Sequence, residues 1–314
     1  MPDLMMPTAY IPTLDGEDRL REVLSGLRGQ TTPCHVVVID NGGKPGTESL
    51  LRSEFPQFEY FRPDHNEGFG LALNHAISIR GEGPVLLLND DLRPQPEFVA
   101  NMMAVFEKGE PVVAGVLLRD DGTNTIDSAG VVADRETLTA FDYLEGQPLA
   151  AVDGAPPPLG PTGGAALFDR DAFDQVGGFD QRIFAYYEDL DLALRLRAAG
   201  YGCAIAADAL AIHRRSSTLG VRSARKYGMT GWSRGYLIRR YGVLESLRPA
   251  IRTVAFEAVV VAGQLLLDHT TAGLRGRIRG WREARGLPKR ALSSSGLGDY
   301  SLRESIRARI RRFF

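Results

Sequence analysis

The chain has 314 residues, 44% of them hydrophobic and 24% charged, which excludes a disordered or fibrous protein and allows one large domain with an appendage, or two domains. A formal net charge of −2 conceals a split: residues 1–213 hold 15 Lys+Arg against 33 Asp+Glu, whereas residues 214–314 hold 22 against 6. An acidic body suits metal cations, and a basic tail suits something anionic.

The amino terminus, MPDLMMPTAY, lacks a basic segment followed by an apolar core, so no secretory signal is expected. TAYIPT predicts a strand, Asp18 to Leu27 a helix, HVVVID (His35 to Asp40) a strand, Thr47 to Phe55 a helix and FEYFRP a strand. Cys34 and Cys203 are too few and too far apart for a disulfide framework or a cysteine metal site, and read as small buried side chains. GFGLALNHAISI then reads as a helix and PVLLLNDD as a strand. Strands alternating with helices, and rich in Val, Ile and Leu, predict a mainly parallel α/β sheet covered on both faces. Ligands on such a sheet bind beyond the carboxyl ends of its strands.

Two of these strands end in acid. Asp40 is followed by Asn41, Gly42 and Gly43, a sequence that serves a turn as well as a ligand. Asn89, Asp90 and Asp91 close an apolar strand, and carboxylates so crowded repel unless a cation lies between them, so Asp91 reads as a metal ligand. In NEGFGLALN (Asn66 to Asn74), Gly68 and Gly70 precede a helix whose N–H groups suit a phosphate, but the third glycine of the dinucleotide fingerprint is missing.

From Tyr143 to Gly164 the chain is rich in breakers, and a long loop of this kind is functional or mobile. FAYYEDLDLALRLRAAGY (Phe184 to Tyr201) predicts a helix with Leu192, Leu196 and Ala199 on one stripe and Gly200 as its stop. Asp191 forms an i, i+4 pair with Arg195, a structural use, while Glu188 and Asp189 have no such pairing. CAIAADALAIH predicts a strand ending at His213, ahead of Arg214 and Arg215, a place suited to metal and diphosphate.

Residues 221–314 are expected to be helical and basic. The apolar run from Val254 to Leu267 contains Glu257 and Gln264 and falls short of the ~20 apolar residues that span a bilayer. The last helix carries Leu302, Ile306, Ile310 and Phe313 on one stripe with arginines elsewhere, a pattern that fits an anionic membrane surface as well as packing on the body or on a second subunit. No nucleic-acid partner is expected, because no binding motif is present and aromatic interleaving is sparse.

In order and spacing, VVVIDNGG, NEGFGLALNHAI, LLLNDD, GPTGGAALFDRDAFDQVGGFD, FAYYEDLDLALRLRAAGY and AIHRRSST resemble the family 2 inverting glycosyltransferases, over roughly residues 8–220. The likeness is narrower to their rhamnosyltransferase-like branch, which builds bacterial cell-surface polysaccharides. EDxDLxxRLxxxG, residues 188–200, is the most specific block. The resemblance implies a GT-A fold over residues 1–220, with 221–314 a basic helical extension that meets membrane, acceptor or another subunit. It implies donor-nucleotide contacts at Pro12, Thr13, Asp40, Asn66, Gly68 and Asp90, and a metal, Mn²⁺ or Mg²⁺, held by Asp91 and His213. Asp189 would be the catalytic base with Glu188 beside it, and Gly163, Gly164, Tyr187 and Glu188 would meet the acceptor. The implied reaction moves a sugar, such as rhamnose, from a dTDP or UDP donor to a glycan or lipid-linked acceptor. Its implied place is the cytoplasm at the inner face of the membrane, with a homo-oligomer left open. This chain departs from the family at Gly42 and Gly43, where relatives often carry Ser and Asp.

Two other readings stand beside this one. A sugar-phosphate nucleotidylyltransferase needs paired glycines after the first strand, which IPTLDGEDRL lacks. A catalytically inactive carbohydrate- or lipid-binding module has no need of Asp91, Asp189 and His213 together.

Overall fold

The computed structural model describes residues 6–14, 17–43, 45–80, 83–214 and 223–311. Its first half alternates as the sequence predicts: β1 (Thr8–Thr13), α1 (Glu17–Arg28), β2 (His35–Asp40), α2 (Pro45–Glu54), β3 (Glu59–Phe61), α3 (Phe69–Ile79) and β4 (Val85–Leu88). These four strands pair in parallel in the order β3-β2-β1-β4. Their side chains alternate between two cores: Val36 and Val38 meet Leu20, Val23 and Leu24 of α1, while Val37 and Ile39 meet Leu73 and Ile77 of α3.

The second half is mixed. It comprises β5 (Leu92–Pro94), α4 (Phe98–Phe106), β6 (Val112–Arg119), β7 (Ile126–Ser128), β8 (Val131–Asp134), β9 (Ala140–Asp142), β10 (Ala165–Phe168), α5 (Arg170–Gln175), α6 (Glu188–Ala198) and β11 (Ala204–His213). Strand β10 enters antiparallel between β4 and β6, while β11 runs parallel to β6 and antiparallel to β5. Because Ala165 pairs with Leu88, the Gly163–Gly164 turn lies against Asn89 at the end of β4.

Helix α6 differs from the one-stripe expectation. Leu190, Asp191, Leu192, Ala193, Leu194 and Leu196 are all buried, and Ala199 is exposed. The reason lies in the chain beyond it: α7 (Ala224–Arg240), α8 (Leu247–Leu267), α9 (Ala272–Glu283), β12 (Leu297–Gly298) and α10 (Leu302–Arg311). Leu190 and Leu194 share a core with Tyr236, Leu237 and Tyr241 of the tail, while Leu192 and Leu196 face the sheet. Arg290 clasps Asp180 at 2.7 Å and also pairs with Asp191, which binds Arg195 at 2.8 Å as expected. The tail thus shares a core with the residues ahead of it, and β12 adds a strand to β8. The boundary expected at residue 220 lies outside the described residues, as do Arg215 and Phe313.

The apolar run of the tail is longer than expected. Helix α8 starts at Leu247 rather than Val254, and at 21 residues, with a mean hydropathy of 1.7 over its most apolar stretch, it is long and apolar enough to cross a membrane. Its Glu257 is bound inward by Arg234 at 2.7 Å and Arg277 at 2.6 Å.

Candidate active site

At the carboxyl ends of β1 and β2 the residues expected to meet the donor hold one another. Thr13 donates its hydroxyl to Asp90 at 2.6 Å, and the Arg19 guanidinium stands 3.8 Å away. Burial pushes the Asp90 carboxyl up to about 6 against the pull of Thr13 and Arg19. Pro12 pairs in register with Ile39, and Thr13 with Asp40. Asp40 is buried and accepts from the Gly43 N–H at 2.8 Å and the Tyr60 hydroxyl at 2.7 Å. The glycines after Asn41 have local causes: at Gly42 a Cβ would lie 1.7 Å from the Leu14 carbonyl oxygen, and Gly43 takes the left-handed φ of 66° that aims its N–H at Asp40.

Around Gly68, where a phosphate is expected, the Gly68 and Phe69 N–H groups are held within the protein. The Phe69 N–H donates to the Phe184 carbonyl at 2.7 Å, and a Cβ on Gly68 would lie 2.3 Å from that same oxygen. Gly70 is pressed by Phe179, and Asn66 accepts from the Gly68 N–H at 2.9 Å. These residues therefore fasten the segment ahead of α6 onto α3.

The metal-side prediction brings together residues far apart in sequence. His213 Nε2 stands 3.3 Å from Asp91 Oδ2, and its Nδ1 stands 2.6 Å from Asp127 Oδ2. Burial alone would lower the imidazole's proton affinity, but Asp127 and Asp91 outweigh it and push His213 up to about 9. Asp91 Oδ1 is buried with no hydrogen-bond partner. A buried, unpartnered carboxylate oxygen beside an imidazole nitrogen fits a divalent cation, and a carboxylate on the far ring nitrogen orients such a ligand. Among the described residues no group of three His, Cys, Asp or Glu side chains forms a complete cage. The sequence reading missed Asp127, which sits on the three-residue β7 and whose contact spans 86 positions.

On the other side of the Gly163–Gly164 turn lies the carboxylate pair of α6. Asp189 shares a small crevice with Thr162, Gly163, Phe179 and Ala193, and a Cβ on Gly163 would stand 3.9 Å from the Asp189 Cβ. A Cβ on Gly164 would stand 3.1 Å from Asn89 Nδ2, so the turn touches both the end of β4 and the start of α6. The helix is entered through strain: Tyr186 and Tyr187 both take left-handed backbone, φ 69° and 70°, a costly conformation for bulky residues. Sequence reasoning had no signal for it. Glu188 is buried with Oε2 unpartnered, and burial together with the Asp189 charge pushes it up to about 8. It therefore holds its proton more tightly than an ordinary carboxyl does, beside Asp189.

Tyr187 also lines a cavity of about 700 Å³ between the β8–β9 hairpin and the tail helices. Its wall includes Arg119, which stands 3.9 Å from Asp127, and Phe141, Phe256, Val260 and Arg277. The cavity's lining mixes the guanidinium groups of Arg119, Arg234 and Arg277 with apolar surface.

Comparison with known proteins identifies the family and the fold. The family model described as Glycosyl transferase family 2 matches residues 8–177. The chain is 26% identical over 239 residues to N-acetylglucosaminyl-diphospho-decaprenol L-rhamnosyltransferase of Mycobacterium tuberculosis, covering 69% of this chain and 78% of that protein. It is 27% identical over 221 residues to the O-antigen biosynthesis protein RfbC of Myxococcus xanthus, covering 66% of this chain and 17% of that much longer one. A crystal structure of GalNAc-T7 with UDP, GalNAc and Mn²⁺ superimposes with a TM-score of 0.60 at 12% identity, over 92% of this chain and 56% of the other. The chain belongs to glycosyl transferase family 2, and it is a glycosyltransferase with the GT-A fold.

Proposed function

We propose that this glycosyltransferase moves rhamnose from dTDP-rhamnose, with inversion, to a polyprenyl-diphosphate-linked or polysaccharide acceptor in cell-surface glycan synthesis. The observation that carries the reading is the Gly163–Gly164 turn, which touches Asn89 on one side and Asp189 on the other. The rhamnosyltransferase name of the mycobacterial relative supports the sugar and the lipid-linked acceptor.

In this reading the ends of β1 and β2 take the nucleoside, with Thr13 and Arg19 holding Asp90 in place. Asp91 and His213 would hold Mg²⁺ or Mn²⁺, and a divalent cation there would neutralise charge on the departing diphosphate. Asp189 takes the proton of the acceptor hydroxyl as that oxygen attacks the anomeric carbon opposite the leaving group. Glu188, whose proton is held more tightly than usual beside Asp189, favours keeping the pair's negative charge on Asp189. The 700 Å³ cavity receives the acceptor, its arginines suited to phosphate and its aromatic wall to sugar or lipid.

Asp189→Asn keeps the shape and removes the base. Sugar transfer is expected to fall by about a hundredfold or more, while dTDP binding measured by calorimetry stays within twofold. Retained turnover would remove Asp189 from the mechanism.

A further inference from the structure

Helix α8 is amphipathic in reverse. The face it turns to the protein carries Thr253, Glu257 and Gln264 together with Phe256 and Val260, and its Arg252 reaches inward to Asp134 and Glu136. The face it turns outward carries Leu247, Ile251, Val254, Ala258, Ala262 and Leu265, at i, i+4, i+7, i+11, i+15 and i+18, with Leu266 alongside. Leu247 is 79% exposed, Ile251 61% and Leu266 74%. Such a stripe along a helix of about 31 Å is far beyond the scattered apolar residues of an ordinary surface. Helix α9 extends the patch: its exposed Leu274 and Ile278 each follow a residue, Gly273 and Arg277, that touches α8.

We propose that this face of α8 and α9 seats in the interface of an anionic lipid bilayer, so that the acceptor cavity on the inner side of α8 opens to the membrane. Charge selects the lipid over a second copy of the chain. Arg275, Arg282 and Arg285 are exposed on and just after α9, beside Arg279, which pairs with Glu283, in a tail that carries 22 basic residues against 6 acidic. A two-fold contact through this face would oppose the same arginines to one another, whereas an anionic leaflet meets them with opposite charge. The helix lies in the interface rather than through it, because Glu257 and its two arginines tie the other face to α7 and α9. Phe256, Glu257 and Val260 of the inner face line the cavity that Tyr187 shares, so an acceptor carried on a lipid would reach the site along α8. The cavity's role rests on the transfer reading above; the seating of the helix does not.

The test is flotation of the full chain with vesicles of phosphatidylcholine containing phosphatidylglycerol, against phosphatidylcholine alone. The wild type is expected to float with the anionic vesicles. Ile251→Glu/Leu266→Glu should cut partitioning at least tenfold, and Arg275→Gln/Arg282→Gln should weaken it by about fivefold per arginine on anionic vesicles only. Both doublets change exposed positions, and unchanged circular dichroism and thermal melting would verify their fold. Equal flotation of wild type and Ile251→Glu/Leu266→Glu, or no flotation of the wild type, would overturn the proposal. So would sedimentation showing a wild-type dimer that this doublet dissolves, which makes a second copy the occupant. Flotation as expected with no nucleotide binding by any variant would sink the transfer reading and leave the membrane surface standing.

Discussion

Asp91, His213 and Asp189 were visible in the sequence because each stands where an apolar strand or an aromatic run stops, and the structure gives each a setting. Their immediate partners were not visible. Asp127 orients His213 from a strand of three residues with no periodicity to betray it, and Tyr60 binds Asp40 across two parallel strands. Glu188 supplies a residue-level prediction. Its carboxyl rises from an ordinary 4.5 to about 8, so the folded chain holds that proton more tightly than the unfolded one. Its contribution to stability is therefore fully present below 4.5 and lost as pH rises toward 8. Thermal melts across this window should show wild type losing stability relative to Glu188→Gln as pH rises. A constant difference between the two would show that Glu188 titrates normally.

Among the elements, the βαβ alternation of the first half was legible since period-2 and period-3.6 patterns differ in short windows. The antiparallel entry of β10 was not, because pairing direction depends on the route of the long loop before it. The tail helices show a second limit. Gly228 and Gly231 of α7 meet Gly276 and Gly273 of α9, Gly235 meets the Arg277 backbone and Gly280 that of Trp232, so closely that a Cβ on Gly276 would lie 2.2 Å from the Gly228 carbonyl oxygen. The glycines looked like helix weakeners, yet they set the distance between two helices, and through it the position of Arg277 against Glu257. Gly276→Ala should cost about 1–3 kcal/mol in urea unfolding through overpacking. Gly263→Ala on α8, where nothing lies within 4 Å, should gain about 0.5–1 kcal/mol from helix propensity. Equal effects of the two would show that α7 and α9 are not in contact.

Across the whole molecule, the charge split read from composition takes a physical form. Acidic residues cluster at the strand ends with Asp40, Asp90 and Asp91 and on β7 with Asp127, and the basic tail both clasps the body through Arg290 and presents arginines outward on α9. The tail was read as an appendage because its helices carry their own pattern; it proves to bury one side of α6, the helix that carries Asp189. The donor site is the central claim, and it calls for one measurement: thermal stability with dTDP, UDP and GDP, each with and without Mn²⁺ or Mg²⁺, on wild type and Asp91→Ala. A ligand at ~100 times its dissociation constant adds about 2.7 kcal/mol to the folded state, a visible shift. A metal-dependent rise with dTDP that Asp91→Ala abolishes is expected. A rise that needs no metal, or one that survives in Asp91→Ala, would contradict the claim.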